Sequence, residues 1–131
     1  MKPKIKVNEI MNCNPKVIHS DETVADAARN LASNDIGFLP VSEGDKLIGV
    51  VTDRDLVVRV MATGKDPSKV CVSEILSGKP KYCFDDEDIG HVQRNMDELQ
   101  VRRLPVVNRD KRLVGIVSLH DIRQRGAAGA K

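Results

Sequence analysis

Gly49-Val-Val-Thr52-Asp53-Arg54-Asp55 returns further along the chain as Gly115-Ile-Val-Ser118-Leu119-His120-Asp121. The shared pattern is a glycine, two apolar residues, a hydroxyl residue, two variable residues and an aspartate. Read outward from this pair, the likeness extends over residues 7–56 and 72–122, with Arg112 as one extra residue in the second copy. Eighteen of the fifty aligned pairs are identical, among them Val7/Val72, Glu9/Glu74, Pro15/Pro80, Asp21/Asp86 and Leu39-Pro40-Val41 against Leu104-Pro105-Val106. Identity at that density marks an internal repeat. One copy alone buries too little surface. Two copies are therefore expected to pack on each other about a pseudo-two-fold axis, leaving a pair of related clefts.

Within each copy the pattern predicts the same order of elements. Val7–Met11 has its apolar residues one turn apart. Residues 15–19 read as a short extended piece. Asp21-Glu-Thr-Val opens a helix with Asp21 as the expected N-cap and Val24, Ala27, Ala28 and Leu31 at helical spacing, ending at Asn34-Asp35. Ile36–Val41 and Leu47–Val51 are strands joined by a turn at Gly44-Asp45, and Thr52 caps a helix through Leu56, Val57, Val60 and Met61. In the second copy Tyr82–Phe84 is extended, Asp86–Leu99 helical, Val101–Val107 and Leu113–Val117 strands, and Ser118–Arg125 the last helix. The expected fold is α+β, with two βαββα repeats at residues 7–62 and 72–125, a connector at 63–71 and a fraying tail at 126–131.

Composition narrows the function. Lys and Arg number 21 against 19 acids, a formal charge of +2, and the chain has no Trp, one Tyr and two Phe. A near-neutral protein without aromatic platforms argues against nucleic acid. No apolar run reaches a membrane span, and the N-terminus leads into no secretory h-region. Cys13, Cys71 and Cys83 fall into no metal-type spacing, nor do His19, His91 and His120 complete one. A reduced, cytoplasmic protein with no metal is expected. No nucleophile is framed by an elbow or a Gly-rich loop, so no catalytic residue is expected. The acids Asp85-Asp86-Glu87-Asp88 read as complement to a helix dipole.

The repeated motif has two readings. Thr52-x-x-Asp55 and Ser118-x-x-Asp121 have the form of helix capping boxes. They also sit at strand-to-helix junctions, where free N–H groups favour a phosphate, and pair a hydroxyl with a carboxylate able to hold ribose hydroxyls. Recurrence at equivalent points favours the nucleotide reading.

Residues 7–122 resemble a tandem pair of cystathionine β-synthase-type (CBS) domains, a Bateman module. The residues that carry the likeness are Ile36-Gly-Phe-Leu-Pro-Val41, Val101-Arg-Arg-Leu-Pro-Val106, the two Gly-x-x-Thr/Ser-x-x-Asp motifs and the order of elements. The resemblance implies a non-enzymatic regulatory module whose clefts bind adenosyl ligands, similar to small bacterial stress-associated members. AMP, ADP or ATP is the implied ligand, with S-adenosylmethionine and NAD sharing the adenosyl group, and no cofactor is required. Asp55 and Asp121 would hold ribose, with Thr52 and Ser118 near phosphate. Arg102 and Arg103 match a basic pair that grips phosphate in some members, whereas the first copy has Gly37 and Phe38, so the two sites are chemically unequal. Asp53 opposes the charge of Arg54, and His120 stands at the position of Arg54. The base would lie against Lys16-Val17-Ile18 and Lys81-Tyr82-Cys83, with Tyr82 either stacking on it or packing internally. The implied assembly is a homodimer formed through helices, acting through its oligomeric state or on a regulated protein that the sequence does not name. The alternatives are a ligand-free interaction module, on which the motifs are caps alone, and an RNA-binding accessory protein that uses the Arg pair.

Overall fold

The computed structural model describes residues 4–34, 36–76 and 79–129, of which 126–129 by backbone only. Each copy contains a short strand, a helix, two strands and a helix, as the sequence predicts. The first has β1 (Ile18–His19), α1 (Val24–Ser33), β2 (Phe38–Glu43), β3 (Lys46–Thr52) and α2 (Asp53–Leu56). The second has β4 (Cys83–Phe84), α3 (Ile89–Leu99), β5 (Arg103–Val107), β6 (Leu113–Ser118) and α4 (Leu119–Gly129). Each copy builds one three-stranded sheet, β1-β2-β3 or β4-β5-β6, in which the first pair is parallel and the second antiparallel. The registers match: Phe38 faces Thr52 as Arg103 faces Ser118.

The chain divides into two compact units that cut across the sequence repeats. Unit 1 combines the N-terminal segment through Pro15 with everything from Lys81 onward, and unit 2 is the continuous stretch Lys16–Pro80. The leading segment of each copy thus belongs with the sheet of the other. In unit 1 the Val7 N–H donates to Glu87 O at 2.9 Å, and Asn12 and Ile116 exchange backbone hydrogen bonds of 2.8 and 3.1 Å. In unit 2 the Val72 N–H donates to Glu22 O at 2.8 Å and Ser73 N–H to Ser20 O at 3.1 Å. Pairing by backbone leaves the apolar side chains of these segments for the cores. Val7 joins Cys83, Val92, Met96, Leu104, Val106, Val117 and Ile122 in one core, and Val72 and Ile75 join Ile18, Val24, Leu39, Val41 and Val51 in the other.

This arrangement explains the repeated glycine. A Cβ on Gly115 would stand 2.7 Å from Asn12 O and 2.8 Å from Met11 Sδ, because the leading segment runs directly over β6. A Cβ on Gly49 would stand 3.1 Å from Leu76 Cδ1. The glycine of the motif therefore serves close chain approach.

Several local expectations are corrected. The N-cap of α1 is Thr23 rather than Asp21: Thr23 Oγ1 accepts the Asp26 N–H at 3.1 Å, and Asp26 Oδ2 accepts the Thr23 N–H at 3.2 Å. Helix α3 begins at Ile89 rather than at Asp86, and its first turn holds no acid. The acidic run precedes it as a turn, in which Glu87 Oε2 accepts the Phe84 N–H at 2.7 Å and Asp86 is clasped by Arg109. Asp35, placed by the sequence at the end of α1, lies outside the described residues. The tail expected to fray from 126 is helical in its backbone to Gly129, and 130–131 lie outside the described residues. After α2 the backbone widens into a π-turn over Val57–Met61, the Ala62 N–H reaching Val57 O at 2.8 Å. That turn leaves Val57, Val58 and Met61 exposed.

Candidate ligand site

Five of the expected site residues surround one cavity of about 620 Å³ in unit 1: Arg102, Arg103, Ser118, His120 and Asp121, together with Asn12, Ile116, Leu119 and Arg123. The volume is that of a small-molecule site. The local fold dictates the gathering. Antiparallel pairing sets Arg103 opposite Ser118, and the Leu119 N–H donates to Arg102 O at 2.8 Å, tying the first turn of α4 to the strand that carries the arginines. Asn12 arrives through its bridge to Ile116, with Oδ1 accepting the Asn14 N–H at 2.9 Å. Ser118 Oγ accepts the Asp121 N–H at 3.1 Å. The Asp121 carboxylate has no hydrogen-bond or ion-pair partner among the described residues, and neither has the His120 N–H. Asp121 also lines a second cavity of about 290 Å³, with Glu9, Ile10, Gln124 and Arg125.

In unit 2 the same motif is closed on itself. Thr52 Oγ1 accepts the Asp55 N–H at 3.1 Å, and Asp55 Oδ2 accepts the Thr52 N–H at 2.9 Å, a complete capping box. Asp55 Oδ1 lies 3.6 Å from Arg59 Nε. Asp53 donates its own N–H to Gly37 O at 3.2 Å, and its Oδ1 accepts the Arg54 N–H at 2.8 Å. All the first-turn donors of α2 are thus taken by the chain's own oxygens, and a carboxylate stands where an anion would. Phe38 opens β2 at the position of Arg103.

The segments expected to frame a base do not line the 620 Å³ cavity. Ile18 and Cys83 are core residues, 0% and 1% exposed, and offer a ligand no surface. Burial pushes the Cys83 thiol up to about 12, with Glu87 and Asp85 adding to the shift. Tyr82 packs edge-on against Phe84, ring centroids 5.6 Å apart at 86°, and the Arg109 guanidinium lies 4.1 Å over the same Phe84 ring. Arg109 also binds Asp86 through two hydrogen bonds of 2.8 and 2.7 Å, and it holds that exposed carboxyl below its ordinary value. Lys16 and Lys81 are exposed and Val17 half-buried.

Sequence reading misses Asn12, Ile116, Leu119 and Arg123. Asn12 is distant in sequence and assigned to the other copy, so only the exchange of leading segments brings it here. Arg123 carried a readable signal: its counterpart in the first copy is Val57. Among the described residues no three His, Cys, Asp or Glu gather as a metal would need, and no helix is long and apolar enough to cross a membrane.

Two sheets of matching register, each followed by a hydroxyl-capped helix, and a cavity at one of those caps define a module built from a paired repeat. A family model described as CBS domain matches residues 7–62 and again 72–127, and the chain belongs to that family. Among its relatives is hypoxic response protein 1 of Mycobacterium tuberculosis (strain ATCC 25618 / H37Rv), 37% identical over 115 residues that cover 87% of this chain and 80% of that protein. The crystal structure of Hypoxic Response Protein I with two coordinated zinc ions superposes with a TM-score of 0.83 at 36% identity, covering 92% of this chain and 98% of that one. The CBS domain pair of protein MJ0100, solved in complex with 5′-methylthioadenosine and S-adenosyl-L-methionine, gives a TM-score of 0.79 at 30% identity, covering 98% and 100%.

Proposed function

We propose that this protein is a non-catalytic, cytoplasmic regulatory module that senses an adenosine nucleotide in the unit 1 cavity. It would report the ligand through a homodimer or a partner protein. One observation carries the reading: the cavity lined by Arg102, Arg103 and Ser118 is lined also by Asp121, whose carboxylate is partner-free among the described residues. A carboxylate accepts from the two hydroxyls of a ribose, and a paired guanidinium and hydroxyl set suits phosphate. Asp121 borders both cavities, which suits a ligand with phosphate on the arginine side and the base toward Ile10. The MJ0100 pair, bound to two adenosyl compounds, supports the ligand class.

Calorimetric titration with AMP tests this. Wild type should bind, and Asp121→Ala should weaken AMP by ~10- to 100-fold, the cost of losing a charged hydrogen-bond partner. Absence of binding by AMP, ADP, ATP and adenosine alike would sink the proposal. That result would favour the interaction-module reading, which the closed capping box at Thr52 and Asp55 supports for unit 2.

A further inference from the structure

The repeat supplies an internal control for the charge in the unit 1 cavity. Arg102, Arg103 and Arg123 line it, and their counterparts in the first copy are Gly37, Phe38 and Val57. Both copies nonetheless form the same strand pair in the same register and the same strand-to-helix junction. The strand pair therefore does not require arginine at positions 102 and 103; at the third position the first copy enters its π-turn at Val57, whereas Arg123 continues α4. Nor are the three arginines spent on the protein's own acids. None of the three guanidinium groups has a hydrogen-bond or ion-pair partner among the described residues, whereas those of Arg29, Arg59 and Arg109 each face an aspartate. Three partner-free guanidinium groups on one concave surface repel one another, and a polyanionic ligand relieves that repulsion.

The cationic lining is also longer than one phosphoryl group needs. Arg102 and Arg103 stand at the start of β5, beside the first turn of α4. Arg123 lies four residues after Leu119, just over one helical turn or about 6 Å further along the axis. His120 sits one turn before Arg123 on the same helix face and lines the cavity with it. Against these groups the cavity offers a single carboxylate, Asp121. A cationic sulfonium ligand is disfavoured in such surroundings, and a monophosphate leaves Arg123 unused. Resting on the nucleotide reading above, we infer that the unit 1 cavity takes an adenosine nucleotide with two or three phosphoryl groups, and that Arg123 is the specificity-determining contact for phosphate beyond the first.

The test is calorimetric titration of wild type and Arg123→Ala with adenosine, AMP, ADP, ATP, S-adenosylmethionine and pyrophosphate. A thermal melt verifies that the variant, altered at an exposed residue, is folded. Wild type should bind ADP and ATP at least ~10-fold more tightly than AMP, the scale of one charged hydrogen-bond contact. Arg123→Ala should reduce ADP and ATP to the AMP level and leave AMP within about twofold. Equal affinity of wild type for AMP and ADP would overturn the inference, as would a variant that weakens AMP and ADP alike. Binding of pyrophosphate with no binding of adenosine or AMP would end the nucleotide reading and leave the polyphosphate preference standing. If a single-stranded RNA oligomer displaced ATP and its own binding fell with Arg123→Ala, the mononucleotide assignment would be wrong.

Discussion

The Asp53 N–H donates to Gly37 O, and the Asp53 carboxylate folds back over the same glycine, Oδ2 standing 3.3 Å from where a Gly37 Cβ would be. Unit 1 has Leu119 and Arg102 at these two positions. A side chain at residue 37 would displace the carboxylate, so glycine and aspartate are matched. The matched pair leaves this junction with a carboxylate and no cation at residue 37, where the other copy has Arg102 and no acid at Leu119.

One AMP per chain is therefore expected, and the two motif aspartates should separate by readout. Asp121→Ala should lower AMP affinity with little change in melting temperature. Asp55→Ala should leave AMP within about twofold and lower stability by roughly 0.5–1.5 kcal/mol, the range for one lost hydrogen bond, with Thr52 still capping the helix. Calorimetry beside thermal melts decides it. Two AMP per chain, or equal loss of affinity in both variants, would contradict the assignment.

The two motif glycines should differ in cost. Gly115→Ala forces a Cβ against backbone oxygen at 2.7 Å, whereas Gly49→Ala meets the movable end of Leu76. Urea unfolding should show Gly115→Ala destabilising by roughly 1–3 kcal/mol, as overpacking does, and Gly49→Ala by less. Gly115→Ala should also weaken AMP, because displacing the leading segment carries Asn12 away from the cavity. A Gly49→Ala variant less stable than Gly115→Ala would refute the packing argument.

Thiol chemistry should sort the cysteines by burial. Cys13 is exposed, Cys71 half-buried and Cys83 buried. A colourless disulfide reagent should modify the first two in the native protein and reach Cys83 only on unfolding. The thiol of Cys83 is raised to about 12 from 9.0. Above pH 9 the unfolded chain therefore loses a proton that the native state keeps, and stability falls with rising pH between those values. Replacing Cys83 with alanine should remove that alkaline slope. A slope that persists in the variant belongs to another group.

The exposed apolar turn after α2 should mediate self-association. Val57, Val58 and Met61 are 55%, 50% and 77% exposed, an expensive arrangement for a surface with no partner. Sedimentation should give twice the 14.4 kDa chain mass, and Val58→Lys with Met61→Lys should return the monomer. A wild-type monomer at tens of micromolar, about the working range for such an interface, would contradict it.

The architecture was legible because the repeat doubles every signal. Val24, Ala27 and Leu31 declare α1, and the paired Leu-Pro-Val tripeptides fix two strands at once. Element starts were less legible. Asp21 and Thr23 are both good caps, and Thr23 alone has an acid three residues on, Asp26, to close a capping box, where Asp21 has Val24. The acids at 85–88 looked like a helix start because sequence does not reveal that Arg109, across a hairpin, claims Asp86. The site was half legible. Its motif and arginine pair stand in the chain, but the asymmetry between Asp55 and Asp121 depends on hydrogen bonds that both motifs could form equally well on paper.

The exchange of leading segments also sets an order of construction. Unit 2 is an unbroken run of chain, whereas unit 1 is two pieces with the whole of unit 2 between them. On a ribosome the continuous half can close as soon as Pro80 emerges. Val7 and Asn8 must wait for residues 85–87, and Asn12 until β6 is made and offers Ile116. Unit 1, which holds the larger cavity, is thus the later of the two units to close, because the strands that complete it follow the whole of unit 2.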